Sequence, residues 1–588
     1  MRKGDLGDAV RASMSFPVMF KPIEIDSVLT YDGGIYNNFP TDVMRQDFKP
    51  DIIIGSIVSS NASRPNEKDL ISQLESMIMQ KTDYTLPDSL GILMRFRYTD
   101  VSLMDFNRLK ELHDIGYNRT ISLIDSIKGR IHRRVNADNV RLRRLIFKSN
   151  IPELRFRKIT VEGANPQQQK FIKKEFHEDE NELFTYEDFK TGYFRLLSDN
   201  IISEIIPHAE YDAERQAYDL HLKVKMEDNF SIRVGGSVSS STSNQMYFGL
   251  SYQDLNFYSK EFMFDGQLGK VYNNLQFTAR IDFSTKIPTS YKFIASISTF
   301  DYFKKDKLFS GSDKPAFTKK KERFAKLKVA LPFLSKKKAE FGVGIANIED
   351  QYVQSDIVDF NDHKRFDKST YLLFGGSIYF GGSSLNARQF ANKGSSEDLI
   401  AQLFIGNEHL KSGKSPELNS TFNQKHQWLQ ISYKRNDYYP LSPHFILGSH
   451  IEAYYSSKNF SQNYTATLLT AGEFTPTPHS CYSYNEAFRA NQYIALGIKP
   501  IYQINKIFQV RTEFYGFMPI FPIKRNALNM AYYGKSFSQL EYIGELSVVC
   551  ALPFGAISAY VNHYSSPKKE WNFGITLGWQ LFNERFIE

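Results

Sequence analysis

Cysteine is scarce in this chain of 588 residues: only Cys481 and Cys550 occur. They lie far apart and match no metal-ligand spacing, so neither a zinc site nor a redox centre is indicated, and a single disulfide between them stays open. The histidines do not cluster either. His113, His132, His363, His426 and His563 fall in different segments. The nearest pair, His444 and His450, would stand roughly 20 Å apart on an extended strand at about 3.3 Å per residue. No metal, no cofactor and no histidine base is therefore expected. No apolar run reaches the roughly 20 residues that a membrane helix needs. The opening "MRKGDLGDAVRASMS" has an Arg-Lys pair but no apolar stretch behind it, so it does not read as a signal peptide. No G-x-S-x-G and no phosphate-cradling glycine loop is found.

What is present is aromatic. Phe and Tyr number 48 and 34 against 3 Trp, and aromatics make up 14% of the chain, yet mean hydropathy is −0.40. A transmembrane β-barrel reconciles these values, because lipid-facing apolar residues alternate with lumen-facing polar ones. From 229 to 588 the period is two. In "LQFTARIDF", Leu275, Phe277, Ala279, Ile281 and Phe283 alternate with Gln276, Thr278, Arg280 and Asp282. "WNFGITLGWQLF" reads as the final strand, with Trp571, Phe573, Ile575, Leu577, Trp579 and Leu581 on one face. About sixteen such segments recur, each near the ~10 residues of a tilted membrane strand. The alternative is a soluble β-sandwich or propeller.

Net charge is +8. The runs "TKKKER" (318–323) and "SKKKAE" (335–340) read as solvated loop or strand-end charges rather than a nucleic-acid stripe, with anionic lipid headgroups as the expected partner.

Residues before 229 have other patterns. "AVRASMSFPVMF" predicts a short helix ended by Pro17. "VLTYDGGIYNNFP" predicts a strand, a glycine turn and a short extended piece. Ile52–Val58 predicts a strand buried on both faces of a parallel sheet. Residues 66–135 read as helices, with Leu70, Leu74, Met77 and Ile78 on one face and a bend at Asp114–Gly116, packed as a layer over the sheet. Basic residues gather at their end, as the helix dipole favours. Residues 151–228 read β-α-α-β-β, with Thr185 and Glu187–Asp188 as a helix start. That order resembles a POTRA domain, the module that precedes outer-membrane barrels.

Two motifs carry chemistry. Arg11–Ala12–Ser13 with Pro17 forms an RAS-x-x-x-P segment, and Asp32–Gly33–Gly34 follows about twenty residues on, trailed by Asn37, Asn38 and Pro40. A lone DGG is usually a turn. Together the two resemble the C-terminal half of the patatin-like phospholipase domain. The resemblance implies a Ser–Asp dyad that hydrolyses lipid acyl esters without a cofactor. It assigns Asp32 as the dyad aspartate, with Gly33 and Gly34 shaping its turn, and Arg11, Ser13 and Pro17 shaping the motif. The family's serine sits on a G-x-S-x-G elbow, and a glycine-rich loop supplies its oxyanion donors. Neither is found here. A carboxylate alone forms no acyl-enzyme, so the chain as given is expected to be inactive.

The resemblance as a whole is to fused patatin autotransporters of type V secretion in Gram-negative bacteria. It implies a partial patatin domain (1–150), a POTRA domain (151–228) and an outer-membrane barrel of about 16 strands (229–588). The N-terminal part would be periplasmic or surface-exposed, and Met1 would be an internal methionine of a longer gene. Barrels of this superfamily carry an Arg-Gly-aromatic tip on a loop folded inward. The nearest match is Arg489 in "AFRANQYIALG", where Ala490 replaces the glycine; the alternative is a lumen-facing arginine on an ordinary strand. A second reading is a non-enzymatic transporter, assembly factor or surface antigen with a patatin remnant.

Overall fold

The structure is a computed structural model. It describes all residues except 1–3, 18, 59–72, 74–75, 97, 99–100, 102–107, 177–182, 200, 241–243, 284–286, 302–317, 335, 354–365, 414–420, 482–483, 554 and 567–570. Two compact units emerge, Met1–Ile151 and Pro152–Glu588.

The first unit begins with helix α1 (Leu6–Ala12), whose N-terminus is capped by the Asp5 side chain. The helix stops well before Pro17. Ser13 caps it, with its hydroxyl donating to Val10 O at 2.8 Å, so local capping and not proline ends the element. A hairpin of β1 (Ile23–Ile25) and β2 (Val28–Thr30) follows, then the expected glycine turn as a 3-10 turn (Gly33–Ile35), then residues 36–40 without strand pairing, then α2 (Thr41–Phe48). Strand β3 (Ile53–Ile57) pairs in parallel with β4 (Gly91–Arg95). Parallel pairing was expected, but burial on both faces was not met. Ile53, Gly55 and Ile57 are buried while Ile54 is 48% exposed. One face meets Phe39 and Leu86 and the other is open.

The region expected to be helical thus contains strand β4. Among the described residues it is helical at 76–78, as expected for Met77 and Ile78, and holds α3 (Leu109–Ser122) and α4 (Ile124–Arg130), followed by α5 (Ala137–Ser149). The bend falls at Leu123 and not at Asp114–Gly116, which continue α3. Leu70 and Leu74 lie outside the described residues. None of the three helices buries a residue, so the expected packing layer is not formed by them. Their attachment is polar: Arg130 donates to Gly91 O at 2.6 Å, and Arg119 lies 5.9 Å from the Phe96 ring centroid.

The second unit opens with β5 (Arg155–Glu162), α6 (Pro166–Phe176), β6 (Phe184–Thr185), α7 (Tyr186–Leu197), β7 (Ile202–Asp212) and β8 (Ala217–Met226). The short β6 is an addition to the expected order. The sheet runs β6-β5-β8-β7, with β5 and β8 parallel. Thr185 starts α7 in a reciprocal capping box with Asp188. Phe156, Ile159 and Val161, brought to one face by a register shift between Phe156 and Lys158, meet Ile172, Leu196, Leu220 and Leu222 in a closed core. Leu255 from the barrel completes that core, and Gln253 donates to Asp199 at 2.6 Å.

Sixteen antiparallel strands then close into a barrel, from Phe230–Ser239 to Trp571–Gly578. Their lengths are uneven. The strand Phe422–Pro440 has 19 residues and the last has 8. A tilted crossing needs about 9–11, so the long strands stand beyond a bilayer. Phe248, Leu275, Phe277, Leu372 and Phe374 face outward and exposed, while Gln267, Gln402 and Arg511 are buried inward. Closure is narrow. The last strand pairs with the first at Thr576–Ser239, Leu577–Val238 and Gly578–Ser237, flanked by Ser240 N–H donating to Ile575 O and Trp579 N–H donating to Gly236 O, each at 2.9 Å. Gly578 has φ +103, and a Cβ there would stand 2.2 Å from Gly236 O, so only glycine permits this approach. Of the expected outward face of the final strand, Trp571, Phe573, Ile575 and Leu577 belong to it. Trp579 and Leu581 do not, because the strand ends at Gly578 and the chain turns into the lumen.

Candidate active site and the barrel lumen

The Asp32 turn is built from its neighbours' backbones. Asp32 N–H donates to Ser15 O at 3.1 Å, and Gly34 N–H donates to Asp32 Oδ1 at 2.8 Å. Ser15 is itself buried, its hydroxyl donating to Arg11 O at 2.9 Å. The two motifs are therefore joined in space, and Ser15, which motif matching passed over, is the joint. Asp32 is half-buried, and its second oxygen accepts no hydrogen bond among the described residues.

The glycines differ in role. A Cβ on Gly34 would come 3.2 Å from Asp32 Oδ1 and 3.1 Å from Asn38 Oδ1, whereas one on Gly33 would meet nothing. Neither has positive φ. Below the turn, Asn37 Oδ1 accepts from Phe39 N–H, and Phe39 packs so near Gly55 that a Cβ there would stand 2.6 Å from its ring. Arg11 is half-buried, Ser13 is exposed as the α1 cap, and Pro17 is half-buried. Such a carboxylate can orient and accept from a hydroxyl, but it cannot form the acyl bond.

Arg489 lies between the barrel strands Phe445–Ser456 and Gln492–Gln503, on a connection whose described residues pack against inward-facing barrel residues such as Tyr352 and Leu410. It sits in a two-residue strand, Arg489–Ala490, paired with Gly472–Glu473 and separate from the wall. The guanidinium is buried, 2.6 Å from Glu473 and 4.6 Å from the Tyr484 ring centroid. A helix, Tyr464–Thr470, precedes it with five consecutive buried residues.

The lumen also pairs histidines that the sequence leaves without partners. His426 lies 2.7 Å from Glu408, and His479 Nδ1 lies 2.7 Å from Glu545. His479 Nε2 is 3.0 Å from Ser558 Oγ. Serine, histidine and carboxylate then stand in the order of a hydrolytic relay. Ser558 is fully buried, however, and its hydroxyl also bonds Thr576 at 2.5 Å. His479 stacks on Tyr560. The cluster fastens 457–491 to the wall and leaves the serine no path to substrate. No sequence signal announces it, since its members are 66 and 79 positions apart.

Other side chains fall outside catalysis. Lys319 and Lys321 stand at a strand end, as expected, and pair with Asp301 and Glu349. Lys338 pairs with Glu340, while Ser335 lies outside the described residues. Cys481 and Cys550 are free. Among the described residues no group of histidine, cysteine and carboxylate side chains could hold a metal ion.

Comparison with known proteins bears on both units. The patatin-like phospholipase family profile matches residues 1–45. BamA from Haemophilus ducreyi lacking POTRA domains 1–3 is similar in structure, at 13% identity and TM-score 0.51, covering 72% of this chain and 84% of that one. CdiB from Acinetobacter baumannii aligns at 10% identity and TM-score 0.41, covering 72% and 74%. CdiB from Escherichia coli aligns at 12% and 0.40, covering 73% and 77%. The closed sixteen-stranded wall, apolar outside and polar within, thus has a fold like that of BamA, and the chain is an outer-membrane β-barrel protein with a patatin-like match at its start.

Proposed function

We propose that residues 1–150 are part of a patatin-like lipid acyl hydrolase domain carried by an outer-membrane barrel of a Gram-negative bacterium. Residues 151–228 act as a POTRA-type module, and 229–588 as the membrane anchor or conduit of a type V secretion-like architecture. Asp32 is the dyad aspartate for a phospholipid or ester substrate. The serine and the oxyanion loop would have to come from outside these 588 residues, which alone hydrolyse nothing.

The observation that carries the reading is the Ser15 O–Asp32 N–Gly34 N arrangement. Ser15 O of the RAS-x-x-x-P segment accepts the Asp32 backbone N–H and fixes the turn, while one carboxylate oxygen is committed to Gly34 N–H and the other is left for an incoming hydroxyl. A carboxylate so placed suits activation of a serine.

The test is turnover of a fluorogenic phospholipid by the chain folded in detergent, expected at the level of the Asp32→Asn variant. Turnover well above that variant would overturn the inactivity. The DNA upstream of Met1 decides the second reading, a transporter, assembly factor or surface antigen with a remnant. An in-frame segment encoding G-x-S-x-G supports the hydrolase, and a stop codon with a functional start at Met1 supports the remnant.

A further inference from the structure

Residues 579–588 leave the last strand and run across the inner wall instead of along it. Their main chain is held by side-chain amides of the barrel. Gln245 donates to Leu581 O at 2.8 Å and accepts from Leu581 N–H at 3.2 Å. Gln389 treats Gln580 in the same way, at 2.6 and 3.3 Å. Gln402 donates to Phe586 O at 3.2 Å and accepts from Glu588 N–H at 3.0 Å. A primary amide that meets both N–H and C=O of a crossing chain mimics a strand partner without asking for a particular side chain there.

Selectivity comes from the socket for Phe586. Its ring is 2% exposed, with centroids 5.6 Å from Phe404 and 5.9 Å from Phe324. The wall opposite is glycine: a Cβ at Gly344 would come 2.9 Å from this ring, and one at Gly375 3.2 Å. Two residues before and after it, Glu584 and Glu588 each lie 3.1 Å from the buried Lys326 ammonium, and Lys328 also pairs with Glu584. Glu322 accepts the Phe586 N–H at 2.9 Å.

We propose that this inner wall is a peptide-binding site of the barrel, filled in cis by residues 579–588. It takes an extended polypeptide segment with an aromatic residue between carboxylates two positions before and after it. The resident segment is thereby an exchangeable occupant: polypeptides of this chemistry compete with it for the same socket. The inference stands apart from the patatin reading, since no residue before 229 takes part.

The test inserts a protease site between Gly578 and Trp579, folds the protein in detergent and then cleaves. The expected result is that the freed segment co-elutes with the barrel. An excess of labelled peptide 579–588 should replace it, while the same peptide with Phe586→Ala should bind at least about 100-fold more weakly, as for loss of a buried phenyl ring. Loss of the freed segment with no uptake of labelled peptide would overturn the proposal, as would equal binding of the Phe586→Ala peptide. Trypsin cleavage after Arg585 in the uncut chain is a second readout that needs no insertion. The Gly375→Leu variant should be cut faster than the parent, and equal rates would count against the socket.

Discussion

Residues 1–151 and 152–588 differ in what their elements rest on. In the first unit the clustered core is Phe39, Ile53, Ile57 and Leu86, and helices α3 to α5 bury nothing. Leu142, Leu145 and Phe147 on α5 are more than half exposed. In the second unit the β5–β8 sheet closes over a full apolar core, and the barrel pairs each strand on both sides. Stability therefore resides mainly in the second unit. The Asp32 turn is ordered by a few backbone contacts, whereas the membrane-facing part is fixed by closure and by buried ion pairs.

The sharpest way to probe that contrast is inside the lumen. Lys326→Met strands the Glu584 and Glu588 carboxylates beside a single remaining cation. It is expected to cost about 3 kcal/mol, as when one partner of a buried pair is removed. Loss of heat-modifiable migration at a lower temperature than the parent checks it. Leu220→Ala, in the centre of the β5–β8 core, should cost about 2–5 kcal/mol in denaturant unfolding. Thr185→Ala removes one arm of the capping box and should cost about 1 kcal/mol by the same measurement. Leu145→Ala on α5 should stay within about 0.5 kcal/mol, because the side chain is 64% exposed. A large loss there would mean that the first unit is supported by more than its described core.

Asp199 supplies a pH test of the junction between sheet and barrel. Burial pushes its carboxyl above the ordinary value, against hydrogen bonds from Ile201 N–H, Ser259 and Gln253. A raised folded-state value means that the folded form holds its proton longer than the unfolded one. Its contribution is therefore complete below the usual carboxylate range and is lost as pH rises through the raised value. The Asp199→Asn variant should flatten that fall in denaturant midpoint with pH, and an unchanged profile would remove Asp199 as its source.

Much of this was legible in the sequence, for physical reasons. A period of two over hundreds of residues demands strands with unlike faces, and closure follows because lipid cannot satisfy a sheet edge. The Thr185 cap was legible because capping is local. Strand β4 was not, since Gly91–Arg95 is a short apolar run amid helical pattern. The inward turn after Gly578 was hidden because Trp579 and Leu581 continue the alternation of the strand before them. The register of the RAS-x-x-x-P and DGG motifs was legible, but not the Ser15–Asp32 contact that joins them, since Ser15 is an unspecified position of the motif, and the His479–Glu545–Ser558 cluster joins segments that only the barrel brings together.

On the proposed reading, Asp32 is a dyad aspartate for which these 588 residues supply no serine partner. Labelling of the detergent-folded chain with a fluorophosphonate probe, read by peptide mass spectrometry, tests it most directly. No serine is expected to be modified. A stoichiometrically modified serine, Ser558 beside His479 above all, would contradict it.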